Sequence, residues 1–199
     1  MAWAACRQDL APGIDWRLVD LAQGQQRHPD FLRINPLGQV PALRVQSRTL
    51  VESEAIVEWL WQRAGAGGGS EGPWAWQWRA WCLSALVPAA RPVAWERVFK
   101  QMLGLGPPDP QVLDRALPVL DACLEHLDRH VTQAEVLDPD RAGPAVLSIG
   151  SVMRLVEGCR VDAGRFAKLA DWVGAVRASS HYLRTVDLLD ELDNDKRGD

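Results

Sequence analysis

Between Ala64 and Pro73 the chain runs Ala-Gly-Ala-Gly-Gly-Gly-Ser-Glu-Gly-Pro, five glycines in ten residues. Glycine loses the most backbone freedom on ordering, and this run has almost no side chain to bury in return. Neither a packed helix nor a strand tolerates such a segment, so residues 64–73 read as a linker. The chain must therefore be built as two parts.

The two parts differ in period. In the first, residues 1–63, short apolar runs alternate with turn residues. Residues 2–10 read as a helix that Pro12-Gly13 stops. Trp16–Leu21 alternates and is rich in β-formers, which predicts a strand. A helical turn is expected around Pro29–Leu32, a loop at Asn35-Pro36-Leu37-Gly38, and a hairpin from Ala42–Val45 and Thr49–Val51 around Gln46-Ser47-Arg48. Glu52 to Trp61 reads as a helix with Ala55, Ile56, Trp59 and Leu60 on one face.

In the second part, residues 74–189, apolar residues recur at helical spacing throughout. A helix starts near Trp74, and Pro88 and Pro92 interrupt or kink it. The chain holds ten tryptophans, and Trp74, Trp78, Trp81, Cys82 and Ala85 form one stripe on that helix. Core packing explains the stripe more simply than a ligand wall made by one or two of its rings. Leu113, Leu117, Leu120, Leu124, Leu127 and Val131 mark the clearest helix. Pro118 lies inside it, so a kink or a helix start is expected there. Residues 148–157 and 165–178 give two more helices, and residues 190–199 read as a charged, frayed tail. Strands with helices, then helices alone, predict an α+β chain: a small α/β domain joined to an all-helical one.

Composition narrows the function classes. A net charge of -4 with no basic run offers nothing to a phosphate backbone or an anionic membrane. No apolar stretch reaches the length of a membrane span, and the first residues do not read as a signal peptide. Cys6, Cys82, Cys123 and Cys159 are far apart and form no CxxC, which suits free thiols in a reducing cytoplasm, each a small buried hydrophobe. His126 and His130, four apart, would hold a metal only if a third ligand converged, and His28 and His181 add no ligand spacing, so no metal is expected.

One stretch carries more information than the rest. His28-Pro29-Asp30-Phe31-Leu32-Arg33-Ile34-Asn35-Pro36-Leu37-Gly38-Gln39-Val40-Pro41-Ala42-Leu43, followed by Leu50-Val51-Glu52-Ser53-Glu54-Ala55-Ile56, resembles the glutathione S-transferase superfamily. Gly158-Cys159-Arg160-Val161, Gly164-Arg165 and Lys168-Leu169-Ala170-Asp171-Trp172 are more loosely similar to the theta class. The resemblance implies a thioredoxin-like N-terminal domain, an all-helical C-terminal domain, glutathione as co-substrate, a small hydrophobic electrophile and a homodimer.

It also implies a site. In the family the proline corresponding to Pro41 is cis, which turns the backbone of Val40 outward to pair, like a strand edge, with the cysteinyl part of glutathione. Glu52-Ser53 would open a helix whose amides and Ser53 hydroxyl receive the γ-glutamyl carboxylate. For Ser53 alone, a plain helix cap is the simpler reading. Gln26 and Gln39 stand where theta-class relatives often carry His and Lys, so they can hydrogen-bond the glycyl carboxylate but supply no charge. At the start of the chain the resemblance implies that the family's first strand, with its thiol-activating residue, is absent. No catalytic residue is assigned, and Cys6 lies too far into the first helix to take that role. A further departure is the helix expected to begin at Ser148-Ile149-Gly150-Ser151, where Ser151 replaces the acid of the family's capping box. Two functions stay open: an enzyme conjugating glutathione to electrophiles, or a non-catalytic glutathione-binding or interaction relative of the same fold. A glutathione-dependent redox or isomerase activity is a weaker third.

Overall fold

A computed structural model of the chain describes residues 2–7, 9–63, 72–161 and 163–198. In order it carries α1 (Ala2–Arg7), α2 (Pro29–Leu32), β1 (Ala42–Val45), β2 (Arg48–Val51), α3 (Ser53–Arg63), α4 (Gly72–Trp81), α5 (Val87–Ala94), α6 (Lys100–Met102), α7 (Pro110–His130), α8 (Pro144–Gly158), α9 (Ala167–Ala178) and α10 (Ser180–Gly198). Two compact units result, one of Met1–Ser70 with Ser180–Asp199, the other of Glu71–Ser179.

In the first unit β1 and β2 pair antiparallel, Ala42 with Val51 through Val45 with Arg48. Arg48 belongs to the strand rather than the turn, so Gln46-Ser47 alone makes the reversal, with Gln46 at a φ of 54°. The helix α3 packs on the hairpin and on α1. Its buried face is Ile56, Val57 and Leu60, while Ala55 is exposed and Trp59 half-buried. Trp16–Leu21 does not form the expected strand. A strand is stabilised by its ladder partner, and among the described residues the only sheet is the β1–β2 pair. The expected tail is instead the second half of α10, which continues to Gly198 and packs on α1, with Arg184 bonded to Asp9 at 2.5 Å. Of the expected linker, residues 64–71 lie outside the described residues, and Gly72 and Pro73 already belong to α4.

The second unit is a helical bundle. Pro88 has no N–H for the Ser84 carbonyl, and Pro92 none for that of Pro88. The helix from Gly72 to Met102 nonetheless runs on, because widened π-type turns at Cys82–Leu86 and Trp95–Phe99 flank α5 and absorb the misfit. α7 starts eight residues before Pro118, at Pro110, with Asp109 capping the Gln111 N–H at 2.9 Å. Pro118 is tolerated on an exposed face, and Leu120, Leu124 and Leu127 are fully buried below it. α8 also starts earlier than expected, at Pro144 behind Gly143. Ser148 therefore sits one turn inside, buried, its hydroxyl returning to the Pro144 carbonyl at 2.8 Å instead of capping a helix start. Its neighbours from Pro144 to Gly150 are all buried, which makes α8 the axis of this unit.

Candidate functional site

The six residues singled out by sequence all lie in the first unit. Register brings four of them to one place. Ala42 and Val51 are the last pair of the hairpin, so Val40-Pro41 on one strand and Glu52-Ser53 on the other leave it at the same open end. The Val40-Pro41 peptide is cis, and Val40 is 41% exposed. α3 begins at Ser53, and its N-terminus therefore lies at that same end.

Glu52 sits in the left-handed region, at a φ of 69°, and its carbonyl accepts the Ile56 N–H at 3.1 Å. For a residue with a Cβ this conformation costs about 1–2 kcal/mol, and such strain gathers where a backbone must be aimed. The exposed Ser53 hydroxyl makes no hydrogen bond among the described residues, so it does not serve as an intrahelical cap.

Gln26 and Gln39 are placed by loops. Asp20 accepts the Ala22 and Gln23 N–H groups at 3.0 and 3.1 Å, and Gln25 returns its side-chain carbonyl to the Asp20 N–H at 2.9 Å. This closes a turn that presents Gln26 on the short helical turn Gln25–Arg27. Gly38, at a φ of 63°, lies against it: a Cβ there would stand 3.1 Å from the Gln26 carbonyl. The Gln26 side-chain oxygen is buried with no hydrogen-bond partner among the described residues, whereas Gln39 is exposed.

Asn35 is a residue the sequence reading left as a loop signal. It is 3% exposed, donates to the Gln39 carbonyl at 2.7 Å, and accepts the Leu37 N–H at 3.2 Å. One amide thus fixes the whole approach to Val40. The available clue was an Asn-Pro pair between apolar runs, the pattern of a side chain that closes its own turn.

The cysteines supply no activated thiol in the described structure. Cys6, Cys82 and Cys159 are buried and Cys123 is half-buried, all free. Burial pushes the Cys123 and Cys159 thiols up, away from the thiolate. His126 and His130 stack at 4.5 Å, with no third ligand beside them among the described residues.

Comparison with known proteins bears on these features directly. Residues 11–63 match the family model described as glutathione S-transferase, N-terminal domain. Human glutathione S-transferase theta-1 is 34% identical over 181 residues, covering 82% of this chain and 71% of the relative. The chain belongs to the glutathione S-transferase family. Mouse glutathione S-transferase theta-3 is 30% identical over 178 residues, covering 81% of this chain and 70% of its own length. Among solved structures, glutathione transferase F7 from Populus trichocarpa superposes with a TM-score of 0.80 at 20% identity, covering 94% of this chain and 91% of that one. A glutathione S-transferase-I bound with lactoylglutathione superposes at 0.75 with 24% identity, covering 94% and 95%. The chain therefore has the family's architecture, a thioredoxin-like N-terminal unit with a small sheet and a mostly helical second unit.

Proposed function

We propose that this protein binds glutathione at the open end of the β1–β2 hairpin and conjugates its thiol to small hydrophobic electrophiles. The observation that carries the reading is the register. It sets the exposed Val40-Pro41 backbone and the Glu52-Ser53 start of α3 side by side. An extended tripeptide can be held by one backbone edge and one carboxylate receiver, and that end would offer both. Val40 would pair with the cysteinyl unit, Ser53 and the first amides of α3 would hold the γ-glutamyl carboxylate, and the Gln26 and Gln39 amides would meet the glycyl carboxylate. The last contact is neutral and hence the weakest. The apolar half of the site and a homodimer are proposed from the family resemblance alone, and no residue of this sequence is assigned to activate the thiol.

Calorimetric titration with glutathione, beside a spectrophotometric conjugation assay with a chloronitrobenzene, tests the reading. Ser53→Ala should weaken binding roughly tenfold, the worth of one charge-assisted hydrogen bond, with the circular dichroism spectrum unchanged. No heat with the wild-type chain would refute the site. Binding without turnover would instead establish the non-catalytic relative.

A further inference from the structure

The helical unit holds an open cavity of about 350 Å³ at the N-terminal end of α4 and the C-terminal end of α7. Its lining includes Trp74, Gln77, Trp78, His130, Gln133 and Glu135, all within one unit. Trp74 is 70% exposed, so a large ring is left in water although the helix beneath it is well packed. Trp78 is buried behind it and stands in an aromatic cluster. It meets Trp81 edge-on at 5.6 Å, His126 at 5.6 Å and His130 at 5.8 Å.

The polar groups on the wall have a definite sense. The His130 Nδ1 lies 2.7 Å from the His126 carbonyl, which can only accept, so Nδ1 carries a proton. In the neutral ring Nε2 is then an acceptor, and it has no partner among the described residues. The side-chain amides of Gln77 and Gln133 likewise make no hydrogen bond among the described residues. Glu135, at the rim, is engaged in an ion pair with Arg141. His126, which packs against His130 and Trp78, is held below the usual imidazole range by burial first and then by His130 and Arg129.

We infer that this cavity is a second small-molecule site, taking an uncharged planar aromatic that carries a hydroxyl, stacked on Trp74 and Trp78 and donating its hydroxyl proton to His130 Nε2. A flat ring covers the exposed indole, and the acceptor selects a phenol over its ether. The inference does not depend on the glutathione reading, because among the described residues none of the first unit lines the cavity.

The test is calorimetry on the full chain with 2-naphthol and with 2-methoxynaphthalene, in the presence of saturating S-hexylglutathione to fill a conjugation site. The expected result is one naphthol per chain, bound more tightly than the ether by roughly fivefold, the worth of one neutral hydrogen bond. Trp74→Ala should weaken both probes roughly tenfold, and its exposed position keeps the core out of the change. His130→Phe should keep the ether and erase the preference for naphthol. The proposal is overturned by naphthol heats that Trp74→Ala leaves unchanged, by a preference that survives His130→Phe, by no naphthol binding at all, or by displacement with S-hexylglutathione.

Discussion

The two units are held by different means. In the second unit the long-range hydrogen bonds join distant helices through packed ground. The Trp172 indole donates to the Leu137 carbonyl at 2.5 Å, Asp128 caps the Leu169 N–H of α9 at 2.8 Å, and Arg97 reaches the Cys159 carbonyl at 2.8 Å. These bonds sit on a core of Leu86, Val93, Leu120, Leu124, Leu127, Leu137 and Ile149, all fully buried. In the first unit the described core is smaller, with Ala4, Ala5, Cys6, Ile56, Val57 and Leu60. Its loops are fixed by short-range bonds from Asp20, Gln25 and Asn35 to nearby backbone. The proposed ligand site stands on the second kind of structure, where backbone direction matters more than side-chain volume. A core unit resists change by packing, and a loop-built site resists it by turn chemistry.

Substitutions should therefore separate the units by mechanism. The largest effect is expected at Leu124, fully buried on α7 where that helix packs on α5 and α9. Leu124→Ala should cost about 2–5 kcal/mol through lost transfer energy and a residual cavity, read as the shift of a urea midpoint. A loss within experimental error would mean that this core is loosely packed and that the contrast between the units is false.

The next effect depends on pH. Glu96 is 4% exposed, and its carboxylate accepts from Lys100 Nζ and from the Asp109 N–H, both at 2.6 Å. Those bonds, the Lys100 one first, hold its carboxyl below the ordinary 4.5. A carboxyl lowered on folding contributes stability that is present above its unfolded value and disappears as pH falls through the lower folded value. Glu96→Gln should thus be less stable than the wild type at pH 7, with the two denaturation curves converging as the pH falls below about 4.5. A gap that stays constant into acid would show that packing, not charge, is the contribution of Glu96.

How much of this could be read in the sequence follows the same division. The helical unit was legible because leucine spacing on α7 reports burial directly. What escaped there were helix starts, at Pro110 and Pro144. They depend on Asp109 and Gly143, single residues outside the periodic pattern. Pro88 and Pro92 marked a disturbance correctly but could not reveal the π-type turns at Cys82–Leu86 and Trp95–Phe99. In the first unit, alternation at Trp16–Leu21 showed a segment fit for a sheet. Alternation cannot supply a partner, and none flanks it among the described residues. Val40-Pro41 and Glu52-Ser53 were singled out by the family resemblance, and the hairpin register brings both pairs to one end. The part played by Asn35 was not, because it lies in which backbone groups one buried amide meets.

The smallest expected effects give the sharpest version of the contrast, because one chemical change should act with opposite signs in the two units. Gly174 lies inside α9, and a Cβ there would meet nothing within 4 Å. Gly174→Ala removes backbone freedom from the unfolded chain without a native clash, and should stabilise by about 0.5–1 kcal/mol. Gly38 has a φ of 63°, and its Cβ would press at 3.1 Å on the Gln26 carbonyl. Gly38→Ala should cost about 1–2 kcal/mol. It should also weaken glutathione binding, since the loop that carries Gln39 and Val40 would have to move away from Gln26. Urea midpoints for the two variants, with glutathione titrations beside them, make the check. Opposite signs with binding lost only at Gly38 would mean that turn geometry builds the site. Equal signs would mean that the Gly38 loop yields to the extra methyl, and that the site owes its shape to something other than the close approach of that loop to Gln26.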